Sequence, residues 1–240
     1  MQLKPSTASF VPSSFITDPI LSAESVKRAE RLQGVGLEIR DLTVRDFPAV
    51  MAAYFDQWGR DDDGLPVVSG YWTAKLFEKA AFGRLIWKNG ELWGLAIGHA
   101  RGMKPLDLGS DWKTAREWAK EVEAELGADG LALNDEIDVA NKALMDAARA
   151  SGRDFRAELD FLWVSRKARG LGLSRVLLEE VHAVMRSLGA REYSLFTDNY
   201  CDVSFYLRAP WEKVGERPWA AAKDWRLPDS RSFMFARKIA

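Results

Sequence analysis

The sequence predicts an α/β (α+β) chain: a mixed, mostly antiparallel central sheet of about seven strands, helices on both faces, and a pair of helices inserted between strands. Three observations predict it. RLIWKNGELWGLAIGHA (84–100) sets two β-rich runs around Asn89-Gly90, a pair suited to a two-residue hairpin turn with positive φ. ELDFLWVS (158–165) is an apolar strand followed at once by a glycine turn and an amphipathic helix pattern. Strand-like runs come first, then this strand–helix–strand unit, then strands again, which is the order of one mixed sheet.

Taken in order, residues 1–21 are rich in Ser and Pro and read as an irregular arm, and 22–33 as a short helix ending at Gly34. Residues 1–34 are thus an N-terminal arm and short helix, ahead of one domain over 35–240. Val35, Leu37 and Ile39 alternate as a strand. Thr43 can cap the next helix, where Phe47, Val50, Met51 and Tyr54 fall at helical spacing. GRDDDGLP (59–66) is a loop by composition, and 70–81 a second helix.

After the hairpin the chain changes character over about 101–157. Trp112, Ala115, Ala119, Val122 and Leu126 repeat at helical spacing behind Ser110-Asp111, with Gly127 as the stop. Ile137, Ala140, Leu144 and Ala148 repeat in the same way and end near Gly152. Two inserted surface helices are expected. Beyond the glycine turn, Leu173, Leu177, Val181, Val184 and Leu188 form one stripe, stopped by Gly189. EYSLFTD (192–198) is a strand and 201–208 a short helix. WEKVGE (211–216) and SFMFARKI (232–239) close the chain as strands.

Composition narrows the function classes. Apolar residues at 47% and charged residues at 29% are those of a globular chain. A net charge of −1 offers no electrostatic reason for nucleic acid or an acidic membrane as partner. The single cysteine, Cys201, fits a reducing compartment. The first residues lack the continuous apolar core of a signal peptide, and no apolar run nears the roughly 20 residues that span a bilayer. A soluble, cytoplasmic protein is expected. One cysteine and two histidines far apart in sequence, His99 and His182, give no metal-ligand spacing. His182 lies beside its helix's apolar stripe and is expected to be solvated.

The turn RGLG (169–172) poses the main chemical question. A helix N-terminus carries unpartnered N–H groups and a partial positive charge. Glycines let an anion approach those groups, and Arg169 could add a charge-assisted contact. Glycines chosen only for tight packing are the alternative. The dinucleotide fingerprint GxGxxG fails, because Arg175 stands where its third glycine belongs. The GxxxxGK[ST] phosphate loop is absent.

The segment VSRKARGLGLSRVLLEEV (164–181) resembles the acyl-CoA-binding motif of the GNAT acyltransferase superfamily. That motif is a strand, then [QR]-x-x-G-x-[GA], then a helix. Here it reads Arg169-Gly170-Leu171-Gly172-Leu173-Ser174 behind Leu162-Trp163-Val164, with Ser174 in place of the last small residue. A second family motif sets a Tyr seven residues after an Asn. Asn199, Phe205 and Tyr206 match it, and Pro210-Trp211 stands where Gly-Phe is usual. The resemblance covers roughly 36–100 and 158–239.

The resemblance implies transfer of an acetyl group from acetyl-CoA to an amine by direct attack in a ternary complex. Main-chain N–H groups of Arg169 to Ser174 would hold the pyrophosphate, with Asn199 also in the cofactor set. An N–H near Leu162, Trp163 or Val164 would meet pantetheine or the developing oxyanion. Tyr206 would be the general acid, since a phenol is fully protonated at neutral pH. The base is open between Glu158 and Asp160, which share a face at period two. Glu158 is the first choice, because family bases often sit where this strand begins.

Asp61, Asp62 and Asp63 could draw a cationic amine to the loop after the first helix, with Trp58 beside it. Cys201, at a predicted helix start, raises an acyl-cysteine route, but reads better as a packing residue. A small-molecule amine is the expected acceptor. Acetylation of a protein or peptide, and a non-catalytic acyl-CoA-binding module, are the alternatives. No metal is expected, and a homodimer is left open.

Overall fold

A computed structural model describes residues 36–58, 66–106, 111–208, 210–220 and 229–239. The N-terminal arm and its expected short helix lie outside the described residues. Seven strands form one open sheet: β1 (Leu37–Asp41), β2 (Phe82–Lys88), β3 (Glu91–Ala100), β4 (Ala157–Val164), β5 (Glu192–Asp198), β6 (Trp211–Pro218) and β7 (Arg231–Lys238). Their order across the sheet is β1-β2-β3-β4-β5-β7-β6. Every neighbouring pair is antiparallel except β4 and β5. The β2–β3 hairpin turns on Asn89 and Gly90 with φ of 51° and 78°, the double positive φ that this dipeptide supplies at least cost.

Alternating side chains sort the helices to the two faces. Four α-helices are described: α1 (Phe47–Trp58), α2 (Pro66–Lys79), α3 (Asp111–Ala150) and α4 (Leu173–Ser187). Leu85, Leu95, Ile97 and Phe161 point one way and pack with Val50 and Ala53 of α1 and Leu76 and Phe77 of α2. Ile86, Ala96, Leu159 and Phe235 point the other way, onto Leu177, Val181 and Met185 of α4. The stripe read from the sequence of α4 is therefore its buried face. None of the described helices is long and apolar enough to cross a membrane.

The inserted pair is one helix. α3 runs unbroken for 40 residues, through Gly127 and Gly130. A mid-helix glycine costs about 1 kcal/mol, but it ends a helix only where the chain turns left-handed. The segment contains no proline and is rich in Ala, Glu, Leu and Lys, so propagation wins. The stop comes instead at Gly152, with φ of 88°. Leu144 and Ala148 of α3 are buried with Met234 and Ala236 of β7. The short helix expected at 201–208 is a 3₁₀ turn, Val203–Phe205.

The pairing of β3 with β4 is broken at one point. Ile97 faces Phe161, but the next residue, Gly98, faces Leu159. Asp160 is the extra residue of a β-bulge. The bulge resets the alternation, so Leu159 and Phe161 enter opposite cores although two residues apart. Gly98 is required there: a Cβ would sit 2.5 Å from the carbonyl oxygen of Glu158 and 2.7 Å from the Phe82 ring. Gly98→Ala should lose about 1–3 kcal/mol of stability in urea unfolding. An unchanged midpoint would mean that this crossing relaxes freely.

Candidate active site

β4 and β5 run parallel, yet they pair only at Ala157↔Tyr193 and Glu158↔Ser194. β3 stays paired with β4 as far as Val164, and β7 with β5 as far as Asp198. The two central strands therefore part beyond Glu158 and leave a wedge through the middle of the sheet. Backbone groups along that inner edge of β4 lack a strand partner, which buried backbone does not tolerate without a substitute.

The glycine turn lies beyond the wide end of the wedge, between β4 and α4. Gly170 and Gly172 have φ of 80° and 74°. A Cβ at either would meet nothing within 4 Å, so neither glycine is there for close packing. Their use is conformational: they turn the backbone left-handed and leave its N–H groups uncovered. Gly172 is the N-cap of α4 and offers no capping side chain. Leu171 N–H donates to Ala168 O at 3.3 Å. Among the described residues, the N–H groups of Gly170, Gly172, Leu173 and Ser174 have no main-chain acceptor. Arg169 and Leu171 are exposed at the rim, and Leu173 is buried under α4. The turn fits an anion with several oxygens, held by backbone donors and the helix dipole.

On the α2 side of the narrow end sits a charged cluster. Lys79, the last residue of α2, places Nζ 2.5 Å from Asp160 Oδ1 and 3.7 Å from Glu158 Oε1. His99 of β3 sets Nδ1 2.8 Å from Asp160 Oδ2. Asp160 thus has the Lys79 charge at one oxygen and the His99 hydrogen bond at the other, and its side chain is 1% exposed, whereas Glu158 is 19% exposed. Burial alone would raise Asp160, but the His99 hydrogen bond and the Lys79 charge hold it below the usual carboxylate range. Glu158 goes the other way. Burial, then the Asp160 charge, push it up to about 7 against the pull of Lys79 and His99. His99 is raised by its bond to Asp160. Burial alone would lower Lys79, but the charges of Asp160 and Glu158 outweigh it and raise the ammonium.

Ligand atoms of His99, Glu158 and Asp160 lie within 4.8 Å of one another, a grouping their sequence separation hides. The Lys79 ammonium already supplies the positive charge that such a group would seek.

Tyr206 follows the 3₁₀ turn and lies on the opposite, α4 side. Its ring packs on Trp211, Phe205 and Phe235 with centroids 5.1, 5.0 and 5.5 Å away. It shares a core with Leu162 and Val164. Burial raises its phenol above the ordinary value, so it stays protonated. The Glu158 carboxyl and the Tyr206 phenol thus lie on opposite faces of the sheet.

The rest of the wall is aromatic. Tyr54 and Trp58 of α1 pack against Phe161 at 5.4 and 5.3 Å. Trp58 Nε1 donates to Asp198 Oδ2 at 3.2 Å, at the far end of β5, so α1 reaches across toward the second strand. Trp163 Nε1 donates to Asp56 Oδ2, also at 3.2 Å. The side chain of Asn199 accepts from Arg231 N–H at 3.0 Å and ties β5 to β7. Asp61, Asp62 and Asp63 lie outside the described residues.

Burial pushes the Cys201 thiol up to about 12, the reverse of an activated nucleophile. His182 is buried, with Nε2 3.0 Å from Tyr193 Oη, and burial lowers it to about 4. Its helical position beside the stripe puts it against β5. Lys79 and His99 join the site although sequence reasoning misses both. His99 occupies a strand position opposite Glu158, which only the register reveals.

A family model described as the acetyltransferase (GNAT) family matches residues 37–209. A search of curated proteins finds no match. Among solved structures, the polyamine N-acetyltransferase of Drosophila melanogaster, which forms N-acetylagmatine, is similar with a TM-score of 0.52 at 12% identity, over 84% of this chain and 99% of that one. A protein of the mosquito Aedes aegypti assigned as arylalkylamine N-acetyltransferase 7 has a TM-score of 0.53 at 16% identity, over 85% and 88%. A Desulfovibrio desulfuricans protein assigned to the GNAT family has 0.50 at 13%, over 85% and 99%. At such identities the structural likeness speaks for the fold.

Proposed function

The chain belongs to the GNAT family of acetyltransferases, and we propose that it moves an acetyl group from acetyl-CoA to a primary amine of a small molecule, by direct attack while both are bound. The observation that carries this reading is the wedge. The anion-holding turn, the unpaired edge of β4, the Glu158 carboxyl and the Tyr206 phenol are the groups that would serve it.

The family uses acetyl-CoA, which supplies an activated thioester when bound. Gly170 to Ser174 would hold its pyrophosphate by main-chain N–H groups, helped by Arg169. The inner edge of β4 over Leu162 to Val164 would donate to the pantetheine amides or to the carbonyl oxygen. Glu158 takes the proton that an ammonium acceptor must lose. A carboxyl near 7 suits this, being half ionised at neutral pH and basic enough to compete. Tyr206 donates a hydrogen bond to the leaving sulfur. Its raised pKa keeps the proton on the phenol, so Tyr206 stabilises the leaving thiolate as a hydrogen-bond donor. Tyr54, Trp58 and Phe161 would enclose the acceptor's apolar part. Polyamines, the substrates named for the Drosophila protein, carry primary amines of the class proposed here.

The test is acetyl transfer to a panel of polyamines, arylalkylamines and amino-acid derivatives, followed by mass. A small amine should gain one acetyl group. Tyr206→Phe keeps the ring packing and should lower kcat about 100-fold while leaving acetyl-CoA affinity unchanged. Transfer confined to peptide N-termini would replace the small-amine reading. Full activity in Tyr206→Phe would remove the phenol from the chemistry.

A further inference from the structure

Two carboxyls side by side on one strand pose a problem that neither solves alone. Like charges in a half-buried site cannot both ionise freely, so a proton is shared between them. Unless something breaks the symmetry, either could hold it. The surroundings are unequal. Asp160, displaced by the bulge, receives Lys79 on one oxygen at 2.5 Å and His99 on the other at 2.8 Å. Glu158 meets the same ammonium only at 3.7 Å, has the Asp160 carboxylate beside it, and keeps an exposed edge.

We propose that Lys79 and His99 are positioning residues that clamp Asp160 as a fixed carboxylate, so that Glu158 alone exchanges a proton with the acceptor. This rests on the acetyl-transfer reading above and names what tunes its base.

The groups facing Glu158 come from each packed element: Lys79 from α2, His99 from β3 and Asp160 from β4. On α3, Asp138 acts on Lys79 and helps keep it charged. The clamp pair, Lys79 with Asp160, is nearly neutral as a unit. It therefore leaves a shared proton on Glu158 without driving it off. Lys79 is also the last residue of α2, where a cation meets the negative end of the helix dipole.

The experiment follows both carboxyls directly. Wild-type protein carrying ¹³C-carboxyl glutamate or aspartate is titrated by NMR, with Glu158→Gln and Asp160→Asn assigning the signals. Asp160 should titrate below the ordinary value of about 3.9 and Glu158 well above its own. Lys79→Met should move the Glu158 midpoint up by about one pH unit, and the acid limb of kcat/KM with it. Lys79→Arg should restore both.

Asp160 titrating in the Glu158 range in the wild type would overturn the clamp, and this needs no variant to fold. So would an unmoved Glu158 midpoint in folded Lys79→Met. The two readings fail separately. If no amine is acetylated but the midpoints behave as stated, the clamp stands and the acetyl-transfer reading falls. If turnover is normal and its acid limb ignores Lys79, the clamp alone falls.

Discussion

Gly172→Glu is expected to abolish measurable acetyl-CoA binding in a calorimetric titration, while the protein still folds. Two effects add. Gly172 sits at φ of 74°, where a side chain costs about 1–2 kcal/mol. The new carboxylate would also stand at the N-cap of α4, among the donors assigned to the pyrophosphate, and repel it. A Cβ there meets no atom within 4 Å, so the substitution does not disturb packing. Gly172→Asn separates the two effects, because Asn tolerates the left-handed region and carries no charge. It should bind weakly where the glutamate variant does not bind at all. Equal binding by wild type and Gly172→Glu would move the cofactor off this turn.

Glu158→Gln should lower kcat/KM by about 10²–10⁴-fold and flatten its acid limb. In the wild type that limb should rise through pH about 7, because the ionised form is the one that accepts a proton. Stability should respond with the opposite sign. The folded-state value lies above the ordinary 4.5, so between the two the native chain binds more protons than the unfolded one. The contribution of Glu158 is fully present below that window and is lost as pH rises through about 7. Asp160 acts oppositely, but below the ordinary Asp value. The glutamine variant should therefore gain melting temperature over wild type between about pH 5 and about pH 8. A gap that does not widen would mean that Glu158 keeps its charge without cost.

What can be read from the sequence is what is decided locally. Asn89-Gly90 and the pair Gly170 and Gly172 specify their turns through their own backbone freedom, so the hairpin and the strand–turn–helix unit are legible. The stripe of α4 is legible because it has one period and one face. The features that escape depend on partners far along the chain. Lys79, His99 and Asp160 come from three elements and meet only through the sheet register and the end of α2. The bulge at Asp160 has no periodic signal, because the close approach that calls for Gly98 is to the Glu158 carbonyl on another strand. His182 looks solvated by its helical angle, yet β5 closes over it and Tyr193 answers its ring nitrogen. Gly127 reads as a stop because glycine is locally ambiguous. Whether it ends a helix depends on the residues on both sides.

The parting of β4 and β5 has a thermodynamic side. The left half of the sheet, β1 to β4, is joined to the right half, β5 to β7, by two residue pairs at one end. Whatever fills the gap acts as a splint between two halves whose strands pair only at that short seam, beside the core that α4 shares with both. A ligand present at 100 times its Kd adds about 2.7 kcal/mol to the folded state, and here that support would fall on the weakest join. Amide exchange along β4 beyond Glu158 should slow on loading more than in β1 or β6, which lie far from the seam. A melting curve thereby becomes a gauge of cofactor occupancy, readable before any acceptor amine is known.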